Sequence, residues 1–226
     1  MRRATLSTSA TFLLVPPERP YAFTAKGGRS PEALVIDLAS RPAPDLVTVP
    51  VLDDPRRPYD VELWLRVHTV RSAACARDLA ALGDLVDGLI IPGVRSVDDV
   101  DWVAERAPGT SLIPVVDSTL ALLHAPSLAR HDSVRRLGFT SLAASPELTD
   151  GMLTPDNSAA WVHRLMSAAS LAAGLPGPVG GLYPGMCDRS ALIREASLAI
   201  RSGFTGYCVT APEVLPEVRG MLAAAV

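Results

Sequence analysis

The chain has 226 residues, 48% of them hydrophobic, so one sizeable core is expected, and one domain over 1–226. Its 24 acidic and 21 basic residues leave a net charge of −3, so nothing favours nucleic acid or an anionic membrane as partner. A single lysine, Lys26, precedes Gly27-Gly28 in a polar connection and reads as solvated, which argues against lysine-imine and pyridoxal-phosphate chemistry.

The first apolar run, 12–15, is too short for a signal-peptide core and is stopped by Pro16-Pro17. No later stretch approaches the roughly 20 apolar residues of a membrane helix. Further short runs follow at 34–37, 63–67, 88–91, 112–116, 137–142, 179–182 and 206–209. They are apolar on both faces and rich in Val, Leu and Ile, the pattern of parallel strands covered on both sides.

Helix signals separate the runs. Residues 75–82 are rich in Ala and Leu, and Ser96 precedes Val97-Asp98-Asp99 as an N-cap with acids in the first turn. Segments 118–128 and 157–173 are amphipathic, and Gly174 closes the second. A helix over 189–201 ends before Gly203, and the last spans 212–225. Segment 41–60 differs: Pro42, Pro44, Pro50, Pro55 and Pro58 predict an irregular connection after strand two, placed to act as a lid.

Eight strands alternating with about seven helices predict a (β/α)8 TIM barrel. The alternative is an open doubly wound sheet, but the first strand is followed by Val15-Pro16-Pro17-Glu18-Arg19-Pro20, with no Gly-rich phosphate loop. Cys75, Cys187 and Cys208 are odd in number and far apart. They read as reduced thiols of a cytoplasmic protein.

Barrel sites form at the C-terminal ends of strands. There the sequence offers Glu18 and Arg19, Asp37 and Ser40, Arg66 and His68, Pro92-Gly93, Asp117 and Ser118, Thr140 and Ser141, Tyr183, Cys187 and Asp188, and Thr210. Arg66 follows Leu63-Trp64-Leu65 within a strand, so it needs an anionic partner or a path to open water. An anionic partner would be either a ligand carboxylate or phosphate, or a neighbouring acid such as Asp37. His68 shares its strand face and reads as a general base or a structural histidine. Asp117 reads as a base, a metal ligand or a helix cap. His124, His131 and His163 receive no role, and Trp64, Trp102 and Trp161 read as core.

Several segments match a family in order and spacing. They are Phe12-Leu13-Leu14-Val15-Pro16 with Arg19-Pro20, Val35-Ile36-Asp37-Leu38, and Leu65-Arg66-Val67-His68. Asp87-Gly88-Leu89-Ile90-Ile91-Pro92 follows, with Ser96-Val97-Asp98-Asp99-Val100, then Ile113-Pro114-Val115-Val116-Asp117-Ser118-Thr119. The last is Gly203-Phe204-Thr205-Gly206, followed by Ala211-Pro212. Over about 11–222 the chain resembles the citrate lyase β-subunit-like group of the HpcH/HpaI aldolase superfamily.

The resemblance implies a TIM barrel that forms homo-oligomers, typically trimers. It implies cleavage or formation of C–C bonds in acyl-thioesters or 2-oxo acids, with Mg²⁺ held by a Glu ending strand five and an Asp after strand six. Here those positions are Asp117 and Ala143, and the acidic pair after strand two is Ala39 and Ser40. The family's glycine after Val-Pro is Pro17, its strand-four lysine is Gly93, and the asparagine two past the strand-three arginine is His68.

The expected Mg²⁺ site is therefore absent or very weak, with Asp117 its one remaining candidate ligand. The candidate catalytic groups are Arg66, Asp37, Asp117 and His68, and the candidate substrate-binding groups are Arg66, Arg19, Pro92 and Ser118. Two functions follow. One is an altered enzyme that binds an acyl-thioester or carboxylate ligand. The other is an inactive binding or scaffold subunit.

Overall fold

Eight parallel strands pair in sequence order, and the eighth returns to the first, closing a barrel. The computed structural model describes residues 9–17, 30–40, 61–82, 85–141, 148, 155–182 and 188–225. The strands are β1 (Ala10–Val15), β2 (Ala33–Asp37), β3 (Glu62–Arg66), β4 (Gly88–Ile91), β5 (Ser111–Val116), β6 (Gly138–Phe139), β7 (Val179–Gly180) and β8 (Gly206–Val209). The described helices are α1 (Ala73–Leu82), α2 (Val97–Ala104), α3 (Thr119–Ala129), α4 (Pro155–Ala172), α5 (Arg189–Arg201) and α6 (Leu215–Ala224). This is the (β/α)8 architecture, and the open doubly wound alternative falls because β1 pairs with β8. The Pro-rich segment 41–60 lies outside the described residues.

Strand alternation splits the core into two layers. Phe12, Leu14, Val35, Trp64, Ile113 and Cys208 fill the barrel interior. Leu13, Ile36, Leu65, Leu89 and Val116 face outward to the helices. Helix ends follow the expected chemistry. Gly174 (φ 72°) ends α4 with Leu175 N–H donating to Ser170 C=O at 2.9 Å, and Gly203 (φ 101°) ends α5 with Phe204 N–H donating to Ala199 C=O at 3.1 Å. Two expectations were too long: β6 and β7 are two residues each. After β7, Gly181 takes φ 73°, a left-handed conformation that no strand continues.

The closed end is plugged by packing and charge. Trp64 is fully buried, meets Phe12 edge-on at 6.4 Å and donates Nε1–H to Glu62 at 2.9 Å. Glu62 also pairs with Arg135 at 3.2 Å. Buried Arg136 donates to Gly177 C=O (3.0 Å) and Thr205 Oγ1 (2.9 Å), and burial first, then Arg135, lowers its pKa to about 10. A Cβ on Gly88 would stand 2.3 Å from the Trp64 ring. Gly88→Ala is therefore expected to cost about 1–3 kcal/mol by overpacking a rigid ring, read as a lower urea midpoint.

Of the other tryptophans, Trp102 is half-buried with the Arg106 guanidinium stacked 4.1 Å above it. Trp161 is not core: it is 42% exposed on α4. Helical spacing alone does not say which face of α4 meets the barrel. Among the described residues no helix is long and apolar enough to cross a membrane.

Candidate active site

The C-terminal rim of the barrel gathers the polar side chains. Asp37 ends β2, Arg66 ends β3, and the two are register partners. Because Val35 and Trp64 point into the barrel, Asp37 and Arg66, each two residues on, lie on the same inner face. Arg66 Nη1 donates to Asp37 Oδ1 at 2.8 Å, with side-chain exposures of 14% and 3%. Asp37 Oδ2 and Arg66 Nε are both buried and have no hydrogen-bond partner among the described residues. The acid that the strand-embedded arginine requires is therefore the neighbouring aspartate, and each member of the pair keeps one hydrogen-bonding atom that no described residue meets.

Asp117 follows β5. Its Oδ2 accepts the Gly93 N–H at 2.8 Å. Gly93 holds φ 78°, and a Cβ there would stand 2.5 Å from Thr69 Cγ2, so this donor is aimed by a turn that suits glycine. Burial pushes the Asp117 carboxyl above the usual carboxylate range, while the Gly93 N–H and the charges of Arg95 and Arg66 pull it back. The helix cap is Ser118, not Asp117: its buried hydroxyl accepts the Ala121 N–H at 3.2 Å at the start of α3. That contact gives Ser118 a structural task.

His68 lies two residues past the last residue of β3. Both its backbone N–H (2.9 Å) and its Nδ1 (2.8 Å) meet Oδ2 of Asp78, a buried acid on α1. Pro92 is buried, and its carbonyl accepts the Val70 N–H at 3.0 Å, tying the loops after β3 and β4 together. Arg71 strengthens that tie from a left-handed backbone (φ 62°), with Nε 2.5 Å from Asp99 Oδ1. Burial works against the ionised Asp99, but Arg71 and the Arg95 and Ser96 N–H groups hold its carboxyl below the usual range. Thr140 and Ser141 are buried. Arg19, Glu18, Ala143, Tyr183 and Cys187 lie outside the described residues.

Asp78 was not among the residues expected at the rim. A signal existed, since an acid between Cys75 and Leu82 sits on the apolar face of α1 and must find a partner. Among the described residues no group of three or more His, Cys, Asp or Glu is placed to hold a metal.

No protein-family model matches the chain, and no curated protein matches it. Solved structures do. RipC from Yersinia pestis superposes with TM-score 0.69 at 19% identity, covering 95% of this chain and 94% of that one. A citrate lyase β subunit from M. tuberculosis, complexed with oxaloacetate and magnesium, gives TM-score 0.69 at 23% identity over 94% and 96% of the two chains. CitE from Mycobacterium tuberculosis, in complex with magnesium, acetoacetate and coenzyme A, gives 0.70 at 23% identity over 95% and 80%. The chain thus shares the (β/α)8 fold of these structures.

Proposed function

We propose that the chain is a citrate lyase β-like member of the HpcH/HpaI aldolase superfamily. In this reading it binds an acyl-thioester or a small carboxylate or 2-oxo acid at the barrel mouth. It acts in C–C bond cleavage or formation, or related acyl chemistry, and assembles as a homo-oligomer. The observation that carries the reading is the Asp37–Arg66 pair, whose Oδ2 and Nε are buried without partners among the described residues, where barrels place their ligands. A ligand carboxylate or carbonyl oxygen would accept from the guanidinium, whose side chain is 14% exposed at the rim. The citrate lyase β-type structures with oxaloacetate, acetoacetate and coenzyme A support this class of ligand.

Among the described residues, magnesium finds no fitting set of ligands. The ion demands octahedral oxygen ligands and loses water reluctantly. Asp117 has one oxygen engaged by Gly93 N–H, Asp37 is bound to a guanidinium, and the sequence holds no acid from Gly138 to Pro146. In our reading Arg66 binds the ligand carboxylate or carbonyl with its charge balanced by Asp37. Asp117 and His68 are the groups that move protons. The loss of acidic ligands also favours a second reading, an inactive subunit that keeps the ligand pocket.

The test is a panel of acyl-CoA esters and 2-oxo acids, with and without Mg²⁺, followed by mass spectrometry and thermal shift. Turnover or stabilisation that is equal in EDTA and is lost in Arg66→Ala is expected. Stabilisation without turnover selects the inactive subunit. The absence of both, with every ligand, contradicts the proposal.

A further inference from the structure

We propose that Asp78 is a positioning residue: it holds His68 as the Nδ1–H tautomer and makes Nε2 the basic atom of that ring at the barrel rim. The inference rests on the ligand-binding reading of the mouth. Its physical basis is one buried carboxylate oxygen that accepts twice from the same residue. Asp78 Oδ2 is 2.9 Å from the His68 backbone nitrogen and 2.8 Å from Nδ1.

The backbone contact fixes where the imidazole starts, and the ring contact fixes its rotation. A carboxylate accepts and does not donate, so in the neutral ring the proton sits on Nδ1 and the in-plane lone pair on Nε2. The same logic orients the histidine of carboxylate–histidine pairs in hydrolases and metal sites. Asp78 is only 4% exposed and lies on α1, so it sits behind the histidine and not in the mouth. The device is local. The loop from His68 to Ser72 is further pinned by Val70 N–H to Pro92 C=O and by Arg71 to Asp99, so the ring cannot drift as a unit with its loop. The result is an oriented imidazole on the loop that follows β3, two residues past Arg66, built from residues that need no metal.

The test reads the free protein, so it is independent of whether any acyl ligand binds. Two-bond ¹H–¹⁵N correlation spectra at neutral pH distinguish the tautomers by which ring nitrogen carries the proton. The wild type is expected to show His68 protonated on Nδ1. In Asp78→Leu, close in volume but unable to accept, His68 is expected to revert to the Nε2–H form that prevails for imidazole in water. If circular dichroism shows that variant unfolded, Asp78→Ala is read in its place, since it too removes the oxygen that meets both His68 nitrogens. An Nε2–H tautomer or a doubly protonated ring in the wild type at neutral pH, or Nδ1–H persisting in the folded variant, would overturn the proposal. Failure of the acyl ligand panel with the tautomer result intact would strike the functional reading alone.

Discussion

Arg66→Met is expected to destabilise the protein by about 3–5 kcal/mol, the typical cost of removing one partner from a buried ion pair. The mutation leaves the Asp37 carboxylate, 3% exposed, without its guanidinium. Holding that isolated charge out of water costs more than the lost methylene packing. The double variant Asp37→Leu with Arg66→Met removes both charges together. It is expected to recover most of the lost stability, because an apolar pair of similar volume is often as stable as a buried ion pair. Ligand binding should follow a different course. Both variants lose the arginine, so both should bind at least roughly 30-fold more weakly, the equivalent of about 2 kcal/mol. Urea denaturation and ligand titration on the same three proteins separate the two roles. If the double variant is as unstable as Arg66→Met, the unpaired Asp37 charge is not the source of the loss.

The second large effect lies away from the mouth and concerns acid. His163, on α4, is 1% exposed and wedged between Phe139 (5.0 Å, edge-on) and Phe204 (4.8 Å). Neither ring nitrogen has a hydrogen-bond partner among the described residues, and burial pushes its pKa down to about 4 from 6.5. A depressed folded value means that the unfolded chain takes up the proton first as pH falls. Stability is therefore fully present above about 6.5 and is lost as pH falls towards 4. The total is about 3 kcal/mol.

Glu195 on α5 works in the opposite sense. Burial raises its pKa to about 7, so its contribution is present below 4.5 and is lost as pH rises through 7. The wild-type profile mixes the two, and a variant isolates one. His163→Leu is expected to match or exceed the wild type at pH 7.5, since it removes two polar atoms that no described residue satisfies. Its advantage should grow by about 3 kcal/mol by pH 4. Parallel urea curves for the two proteins across that range would contradict this.

Much of the fold could be read because parallel barrel strands are apolar on both faces, which marked all eight in order. Their lengths were less legible. The runs 137–142 and 179–182 look continuous, yet β7 stops where Gly181 turns left-handed, a fact of φ and not of hydrophobicity. The Asp37–Arg66 pair was legible because a charge inside a strand must find its counter-charge, and the nearest acid at a strand end was Asp37. Ser118 as cap was missed by one residue: the sequence offered Asp117 as the cap and Ser118 as a ligand-binding group, and the hydroxyl's geometry places the cap at Ser118. The His68–Asp78 contact was not legible as a pair. It depends on how α1 leans on the loop after β3, which no local periodicity records.

The most direct test of the central claim is calorimetric titration of oxaloacetate and an acyl-CoA ester into the protein, once in EDTA and once in excess Mg²⁺. If Arg66 and Asp37 hold the ligand without a metal, the two dissociation constants should agree within about twofold, a difference of about 0.4 kcal/mol. Binding that appears only with Mg²⁺, and is lost in Asp117→Ala, would contradict it.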